Sequence, residues 1–526
     1  MKQGRIENDT LGKLAQVAAS QILSWGWVKL CEQHRGLPNI ASGVRHLSHP
    51  AAHLLHRLRT SGAPITLKSA PWSLRQRDAA ITRGPHQSAA IYSDFLREEM
   101  VDLIRQGYWL ALPYSSVRHL PNLRISPMGI VPQRERRPRV IVDYTFSGVN
   151  EDTVSLAPAE AMQFGKTFHR LLHRIARADQ RHGPVYMAKV DIADGFYRTW
   201  LRAEDAPALG VAIPTPPGTA PLVAFPLTLP MGWRNAPPYF CVSTETVADL
   251  TNNAIAKPRI VCGPHRLDSA ADTPPEAEAR IPQLSPTNAV PEPPPPQSER
   301  RAPVQYVDVY VDDFLALAQG SPRRRRQLRR LLFHTLDTVL RPLAPSDGPH
   351  RKEPISVKKL LKGDACWSTT KTMLGWRIDT VRGTIELPLH RYQRLCYILQ
   401  GVPPSRRRIS VRQWHRILGE LRSMTLGIPG GRGFFSHLQL VLRQADKHRI
   451  RLTAHIHDAL EDFRWVAADL AGRPTRLGEV VPQEPTFVGA CDASGAGMGG
   501  VWLNTSRFPR QGQRPLPCSG ARASLQ

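Results

Sequence analysis

Apolar and polar residues alternate most clearly along the stretch 306–312, where every second position from 307 is valine. This period of two predicts a half-buried β-strand. A second apolar run at 314–317 predicts the returning strand of a hairpin. The turn between the two strands carries Asp312 and Asp313, so two adjacent carboxylates would lie at the edge of an apolar sheet.

Three other stretches carry apolar residues at the spacing of an amphipathic helix. They are 93–108, 235–256 and 411–424. Asn235 is a favourable N-cap for the second helix, and its prolines suit a first helical turn. Ser410, with a glutamine three residues later, fits a capping box for the third.

Strand patterns also occur at 126–132 and 138–144, on either side of a basic turn, and at 185–191. The last of these strands ends in Asp191. If this strand end lies beside the hairpin turn, three carboxylates form one cluster. Repulsion among them would be costly unless divalent cations lie between them.

The carboxylates allow two interpretations. Aspartate favours turns because its side chain hydrogen-bonds the local backbone, and this alone explains an isolated Asp-Asp pair. Alternatively, adjacent carboxylates hold hard divalent cations, which take oxygen ligands and bridge to substrate phosphates. Asp191 supplies the third carboxylate that the metal site requires. Asp308 would lie roughly 13 Å from Asp312 at about 3.3 Å per residue, which excludes it as a ligand.

The net charge of the chain indicates what kind of partner it binds. The 526 residues include 70 Lys and Arg against 44 acidic residues, a net charge of +26. A polyanion is the expected partner, with nucleic acid ahead of a membrane surface. There is no run of 18 apolar residues to span a bilayer, and the first residues do not begin an export signal. Seven cysteines without C-x-x-C spacing indicate neither a zinc ribbon nor a disulfide framework. We therefore expect an intracellular protein, in the cytoplasm or the nucleus.

Two stretches stand out by composition. Residues 257–303 contain 12 prolines and predict a disordered insertion that buries no core. Removing these 47 residues from the 80 that separate Gly232 and Asp312 leaves 33, which suits a compact connection. The basic run 323–330 opens a helix and fits a nuclear-import signal, a nucleic-acid contact or a solvated helix face.

Three motifs in chain order resemble those of a reverse transcriptase. They are Asp191 with Phe196 five residues on, the Leu-Pro-Met-Gly-Trp turn at 229–233 before a helix, and Tyr-Val-Asp-Asp at 310–313. The resemblance covers roughly 95–445 and is to the long-terminal-repeat type of retroelement or a related lineage. It implies an α+β right-hand polymerase of fingers, palm and thumb, with an antiparallel palm sheet.

The domain map that follows from the resemblance has seven parts. They are a basic N-terminal extension of unknown function (1–94), fingers (95–184), a first part of the palm (185–256), the Pro-rich insertion (257–303), a second part of the palm (304–380), thumb and connection (381–483), and a ribonuclease H-like segment (484–526).

The resemblance also implies the site. Asp191 and Asp312 would hold two Mg²⁺ ions, or Mn²⁺ as the alternative, with Asp313 in support and the Ile192 carbonyl as a further ligand. Nucleotide binding would involve Arg139, Ile192, Asp194, Gly195, Phe196, Met231 and Gly232. Weaker nucleic-acid contacts would come from Arg134, Arg136, Lys359, Gly375, Trp376, Arg406, Arg407 and Arg408. The implied partners are an RNA template, a DNA primer and deoxynucleoside triphosphates, with no membrane and an open oligomeric state.

The stretch 487–502 resembles the first hairpin of a ribonuclease H domain, with Asp492 as its first metal ligand. Residues 493–526 contain no Asp or Glu, and the nuclease needs further carboxylates. We therefore interpret 484–526 as a truncated ribonuclease H-like segment and expect no ribonuclease H activity from it.

Three alternatives stay open at this point. The first is an RNA-dependent RNA polymerase on the same palm, against which bulky Phe196 and the valine before Asp312 argue. The second is a degenerate element copy that retains only nucleic-acid binding, favoured by the insertion and by the truncated segment. The third, a structural scaffold, leaves the three aspartates unexplained. Neither an aspartic-protease triplet nor the His-Cys zinc pattern of an integrase occurs.

Overall fold

The structure is a computed structural model that describes residues 9–133, 136–155, 163–216, 218–257, 261–275, 301–443, 448–481, 487–494 and 497–504. These residues form two compact units. The first unit runs to Arg382 and includes 387–389, and the second contains the other described residues from Gly383 onward. None of the described helices is both long enough and apolar enough to cross a bilayer.

The first unit combines helices with strands. Its helices are α1 (Thr10–Trp25), α2 (Trp27–Arg35), α3 (Ala52–Thr60), α4 (Leu74–Arg83), α5 (Gln87–Ile91), α6 (Ser93–Arg105), α7 (Tyr114–Val117), α8 (Val149–Asp152), α9 (Thr167–Ala176), α10 (Ala236–Ile255), α11 (Asp268–Ala271), α12 (Pro322–Val339) and α13 (Val357–Leu360). Its strands are β1 (Trp109–Pro113), β2 (Ile125–Gln133), β3 (Arg136–Val142), β4 (Tyr186–Asp191), β5 (Gly210–Ala212), β6 (Leu222–Pro226), β7 (Gln305–Tyr310), β8 (Asp313–Ala318), β9 (Thr370–Met373) and β10 (Trp376–Asp379).

A three-stranded antiparallel sheet in the order β4-β8-β7 positions the carboxylates. Its register pairs Asp191 with Asp313 at one end and Tyr186 with Ala318 at the other. Helices α10 and α12 pack against each other, α10 also against β7 and α12 against β8. The valines of β7 are buried as their alternation predicts, with Val307 at 0% and Val309 at 3% exposure.

The hairpin turn between β7 and β8 is strained. Tyr310 pairs with Asp313, which leaves Val311 and Asp312 as a two-residue loop. Such loops require positive φ at the first central residue, and Val311 has φ of 59°. A β-branched residue is costly there, and strain of this kind concentrates at functional sites. The turn that presents Asp312 is therefore held in its shape by the surrounding structure.

A five-stranded mixed sheet lies elsewhere in the first unit, in the order β1-β6-β5-β2-β3. The β2–β5 pair is parallel, and the other pairs are antiparallel. Helix α1 packs against β1 and α6. Leu11 and Ala15 of α1 belong to the same buried core as the sheet residues Val307 and Phe314. The described residues between 9 and 94 thus contribute to the core of the first unit.

The second unit contains helices α14 (Leu389–Gln400), α15 (Val411–Met424), α16 (Gly431–Arg443), α17 (Ala454–Gly472) and α18 (Leu477–Val480), and strands β11 (Thr384–Glu386), β12 (Arg408–Ser410), β13 (Arg449–Arg451), β14 (Thr475–Arg476), β15 (Phe487–Ser494) and β16 (Gly497–Asn504). Helix α16 packs against α15 and α17. Helix α15 has the predicted bounds, and Ser410 accepts a hydrogen bond from the Gln413 amide at its N-terminus. Strands β15 and β16 form the predicted antiparallel hairpin.

The predicted α+β class is confirmed as a mixed architecture of helices with antiparallel and mixed sheets. The finer assignment of fingers, palm, thumb and ribonuclease H-like segment stays a prediction.

One part of the predicted disordered insertion is ordered, which corrects the prediction for residues 261–275. These residues contain α11, whose Ala271 is fully buried and accepts a hydrogen bond from Arg329 of α12 at 2.8 Å. Asp272 pairs with the buried Arg329 at 2.5 Å, and Asp268 pairs with Arg330 at 2.7 Å. The prediction relied on the high proline content of the whole insertion. That content does not reveal the short segment 261–275, whose two aspartates pair with arginines about 60 residues further on. The prediction for 276–300 falls outside the described residues.

We predict different effects for two deletions in this region. Replacing 276–300 by a Gly-Ser linker should change the free energy of unfolding by less than about 1 kcal/mol, because a proline-rich tract contributes no core. Replacing 261–300 should cost about 3 kcal/mol or more, because Arg329 loses its carboxylate partner while buried. Urea unfolding of both variants and the parent measures the difference. Equal destabilisation by the two deletions would show that 276–300 is structural.

Candidate active site

Three carboxylates meet at one end of the three-stranded sheet. Asp191 ends β4, Asp312 lies in the hairpin turn and Asp313 begins β8. One carboxylate oxygen from each lies within 4.8 Å of the other two. Among the described residues, this is the group of acidic, His or Cys side chains whose geometry suits a metal ion. The cluster predicted from the strand ends is therefore present in the structure.

Backbone hydrogen bonds fix the relative position of the two strand ends. The Ile192 amide donates to the Asp312 carbonyl at 3.2 Å, which ties the residue after β4 to the hairpin turn. On the other side of Asp191, the Ser356 amide donates to the Asp191 carbonyl at 2.8 Å. Asp191 is thus held between the hairpin and the segment before α13, and the residue is 7% exposed.

Two carboxylates of the cluster are harder to ionise than free carboxylates. Burial, outweighing the Lys359 amino group that opposes it, raises the pKa of Asp191 to about 7, and Asp313 adds to the rise. Burial and the neighbouring Asp313 likewise raise the pKa of Asp312. Burial is the first cause of both shifts, and the neighbouring carboxylate adds to it. Bound cations would lower both pKa values and keep the cluster ionised.

Two lysines already supply part of that charge. Lys359 Nζ lies 2.7 Å from Asp191 Oδ1 and 4.0 Å from Asp313 Oδ1. Lys189 Nζ lies 4.0 Å from the same Asp313 oxygen. The residues fit a divalent ion because the donors are hard carboxylate oxygens and because amino groups occupy cation positions beside them.

Asp308 does not belong to the cluster, as its strand position predicts. It is 4% exposed and is bound by Arg170, whose Nε and Nη2 donate to its two oxygens at 2.8 and 2.7 Å. The Tyr306 hydroxyl donates to it as well, at 2.7 Å. The role of this carboxylate is to anchor α9 to β7.

The turn after β4 brings the predicted nucleotide-binding residues to the cluster. Asp194 adopts φ of 58° and accepts from Tyr108 and Lys352 at 3.2 and 2.9 Å. A Cβ built on Gly195 would lie 3.9 Å from the Asp312 Cβ, so this backbone runs close to the carboxylates. Phe196 is half-buried and meets the Phe240 ring edge to face at 5.1 Å. Phe196 thus follows directly after a glycine whose backbone lies near the Asp312 side chain.

Arg139 and Met231 line a cavity of about 240 Å³ in the first unit. Arg139 is exposed, and its Nη2 lies 3.8 Å from the Met231 sulfur. Gly232 has φ of 102°, and a Cβ there would come within 2.6 Å of the Val142 carbonyl oxygen. Only glycine permits this approach of the 229–233 turn to β3.

The weaker nucleic-acid contacts fall into different environments. Gly375 lies in the β9–β10 turn with φ of 79°. Trp376 is fully buried and packs against Phe168 at 6.0 Å, so its side chain is part of the core and does not face a ligand. In the second unit, Arg407 and Arg408 are exposed, whereas Arg406 donates to the Gly401 carbonyl and the Gln413 side chain. Arg134 and the side chains of Arg136 and Asp492 lie outside the described residues.

Sequence patterns missed a buried cation that organises this site. Arg198 is 2% exposed, and its guanidinium donates to the backbone carbonyls of Ala193, Lys352 and Glu353 at 2.6, 3.2 and 2.6 Å. Burial lowers its pKa to about 10. It joins the turn after Asp191 to a segment about 155 residues away, and no local pattern marks such a contact. Lys189 could have been found, since it lies two residues before Asp191 on the same strand.

We predict that Arg198→Met lowers the free energy of unfolding by about 3 kcal/mol, because three backbone carbonyls lose charge-assisted donors. Arg198→Lys should recover only part of this loss, because one ammonium group cannot reproduce the planar geometry of a guanidinium. Urea unfolding of the two variants checks the order. Identical stability of parent and Arg198→Met would contradict the role assigned to this side chain.

The comparisons with known proteins show similarity to solved structures at low sequence identity. No family model and no curated protein matches this sequence. Similar solved structures include three of the foamy viral protease-reverse transcriptase. One, a dRH form with double-stranded DNA, is 16% identical with a TM-score of 0.43, over 90% of this chain and 65% of that one. The complex with an RNA/DNA hybrid is 15% identical with a TM-score of 0.44, over 93% and 51%.

A further complex with double-stranded DNA is 16% identical with a TM-score of 0.43, over 93% of this chain and 79% of that one. The chain spans slightly less than two thirds of the first of these structures and about half of the second. Likeness at this level carries no conclusion about activity.

Proposed function

We propose that the protein is an RNA-directed DNA polymerase of a retroelement, of the long-terminal-repeat type or a related lineage. The observation that carries the proposal is the cluster of Asp191, Asp312 and Asp313, whose oxygens lie within 4.8 Å of one another at two converging strand ends. The same residues belong to the motifs that resemble a reverse transcriptase. A scaffold protein would have no use for a partly buried cluster of like charges.

Asp191 and Asp312 would hold two Mg²⁺ ions, or Mn²⁺, with Asp313 in support. Bound there, the ions would lower the pKa of a primer 3′-hydroxyl and neutralise the charge on a triphosphate and its leaving pyrophosphate. The backbone of Asp191 is positioned by one hydrogen bond from the Ser356 amide, which would help to orient the carboxylate toward an ion. Lys359 pairs with the Asp191 oxygen that would also bind an ion, and its half-exposed side chain would be able to turn to solvent.

Other residues of the chain would orient the substrates. Arg139 is exposed on β3 and would neutralise the triphosphate of the incoming nucleotide. The backbone at Asp194 and Gly195 would contact the nucleotide, and Phe196 would exclude a 2′-hydroxyl by its bulk. Met231 and Gly232 would line the site. The sequence of the product is set by base pairing, so basic residues need only hold the template and primer backbones.

Primer extension tests the proposal. The full chain is incubated with an RNA template, a DNA primer and Mg²⁺, in parallel with deoxynucleotides and with ribonucleotides. We expect extension with deoxynucleotides only. Extension with ribonucleotides only would assign an RNA polymerase, and tight template binding without extension would assign a degenerate nucleic-acid-binding copy.

A further inference from the structure

A cluster of positively charged side chains lies at the opposite end of the three-stranded sheet from the carboxylates. A pocket of about 210 Å³ opens beside the first turns of α12. We call it the α12 pocket; it is lined by Asp272, Arg325, Arg326, Arg329, Cys366 and Trp367, together with Ala271 and Pro322. A single water molecule needs only about 10–15 Å³, so the pocket can hold a larger polar group.

The α12 pocket is remote from the candidate active site. The Arg325 guanidinium stacks on the ring of Tyr186 at 3.6 Å, and Tyr186 begins the strand that ends in Asp191. Five residues of β-strand span roughly 17 Å. A ligand in the α12 pocket therefore cannot touch the three carboxylates.

The walls of the α12 pocket carry donors in excess. Three guanidinium groups face one carboxylate, that of Asp272, which is already paired with Arg329. Arg329 is 3% exposed, and its Nε has no hydrogen-bond partner among the described residues, although its other nitrogens bind Asp272 and the Ala271 carbonyl. The Nε of Arg325 and the indole Nε1 of Trp367 are likewise buried and without a partner in the described part of the chain.

Buried donors without partners are costly, and a ligand that only accepts hydrogen bonds would satisfy them. The side chains are also held in place before any ligand arrives. Arg329 is fixed by the ordered segment 261–275, Arg325 is fixed by Tyr186, and the Trp367 loop is tied to β4 by bonds between Met187 and Ser368. Such preorganisation reduces the entropy lost on binding.

We propose that the α12 pocket binds a phosphate group. A phosphate offers several acceptor oxygens and negative charge, which match guanidinium and indole donors. Lys371 adds positive charge nearby, because its Nζ lies 2.8 Å from the carbonyl oxygen of Cys366 in the pocket wall. The proposal stands apart from polymerase activity, since it uses none of the residues placed at the carboxylate cluster.

The test is calorimetric titration of the full chain with inorganic pyrophosphate, in EDTA so that the carboxylate cluster cannot bind it through metal ions. We expect saturable binding of one pyrophosphate. Arg326→Gln removes an exposed guanidinium from the pocket, and Trp367→Phe removes the indole donor but keeps an aromatic ring. Each should weaken binding about tenfold, the typical effect of losing one charge-assisted hydrogen bond.

Arg323→Gln is the matched control, because it removes the same charge from an exposed position of α12 outside the pocket lining. It should change the affinity by less than about twofold. Equal weakening by Arg323→Gln and Arg326→Gln, or no saturable binding by the parent, would overturn the proposal. Binding that develops only after residues 276–300 are deleted would assign the pocket to the chain's own acidic residues and also overturn it.

Competition identifies the source of the phosphate. A short single-stranded oligonucleotide that displaces pyrophosphate, and whose own affinity falls in Arg326→Gln but not in Arg323→Gln, would assign the pocket to a nucleic-acid backbone. An oligonucleotide that leaves pyrophosphate bound would assign it to a free phosphate-bearing small molecule. Both results support the phosphate site.

Discussion

Replacing Asp191 or Asp312 by Asn should reduce primer extension at least about a thousandfold. Loss of a metal ligand removes several kcal/mol of transition-state stabilisation, and each 1.4 kcal/mol is a factor of ten in rate. One carboxylate oxygen from each of the three residues lies within 4.8 Å of the other two, so all three can contribute to one metal site. Asp313→Asn should cost less, because its role is supporting. Single-turnover extension on an RNA template measures all three variants.

Folding and template binding should survive the same substitutions. Lys359 loses a full charge partner in Asp191→Asn, but its side chain is 43% exposed and can turn to solvent. Removing a negative charge from a basic protein should leave template affinity unchanged or slightly higher. Asp249→Asn, at a 65% exposed carboxylate of α10, is the control for a general loss of negative charge and should retain parental extension. Extension by Asp191→Asn at near-parental rates would refute the metal assignment.

Local patterns were sufficient for the elements that carry the site. The alternation at 307–311 and the return at 314–317 predicted the hairpin, and the strand ending at Asp191 follows from its apolar run. The helix over 411–424 was predicted to its exact bounds because its cap and its apolar stripe agree. These features arise from interactions within a few residues, which a sequence displays directly.

Long-range partners are what the sequence could not supply. Asn235 was predicted to cap α10, yet its side-chain amide donates to the Val154 carbonyl at 2.8 Å, 81 residues away. The Gln413 side chain, predicted to complete a capping box, accepts from Arg406 instead. Arg198 and the ordered part of the insertion were missed for the same reason. A polar side chain can satisfy its hydrogen bonds locally or across the fold, and composition does not distinguish the two.

Phe196→Val should raise the use of ribonucleotides relative to deoxynucleotides by about 10- to 100-fold. The backbone at Gly195 lies near the Asp312 side chain, and the next residue carries an aromatic ring that is only half-buried. A ring under the sugar of the incoming nucleotide leaves no room for a 2′-oxygen, so discrimination comes from a clash rather than from a better contact. Overpacking of this kind costs about 1–3 kcal/mol, which sets the expected range.

The competing explanation is that Phe196 is a core aromatic, since its ring meets Phe240 edge to face. Phe196→Val would then lose both activities together through instability. Phe240→Leu is the matched control, because it disturbs the same ring contact from the buried side and should lower stability without changing nucleotide preference. The measurement is the ratio of kcat/KM for ribo- and deoxynucleotides in parent and variants. An unchanged ratio in a stable, active Phe196→Val enzyme would rule out Phe196 as the steric gate.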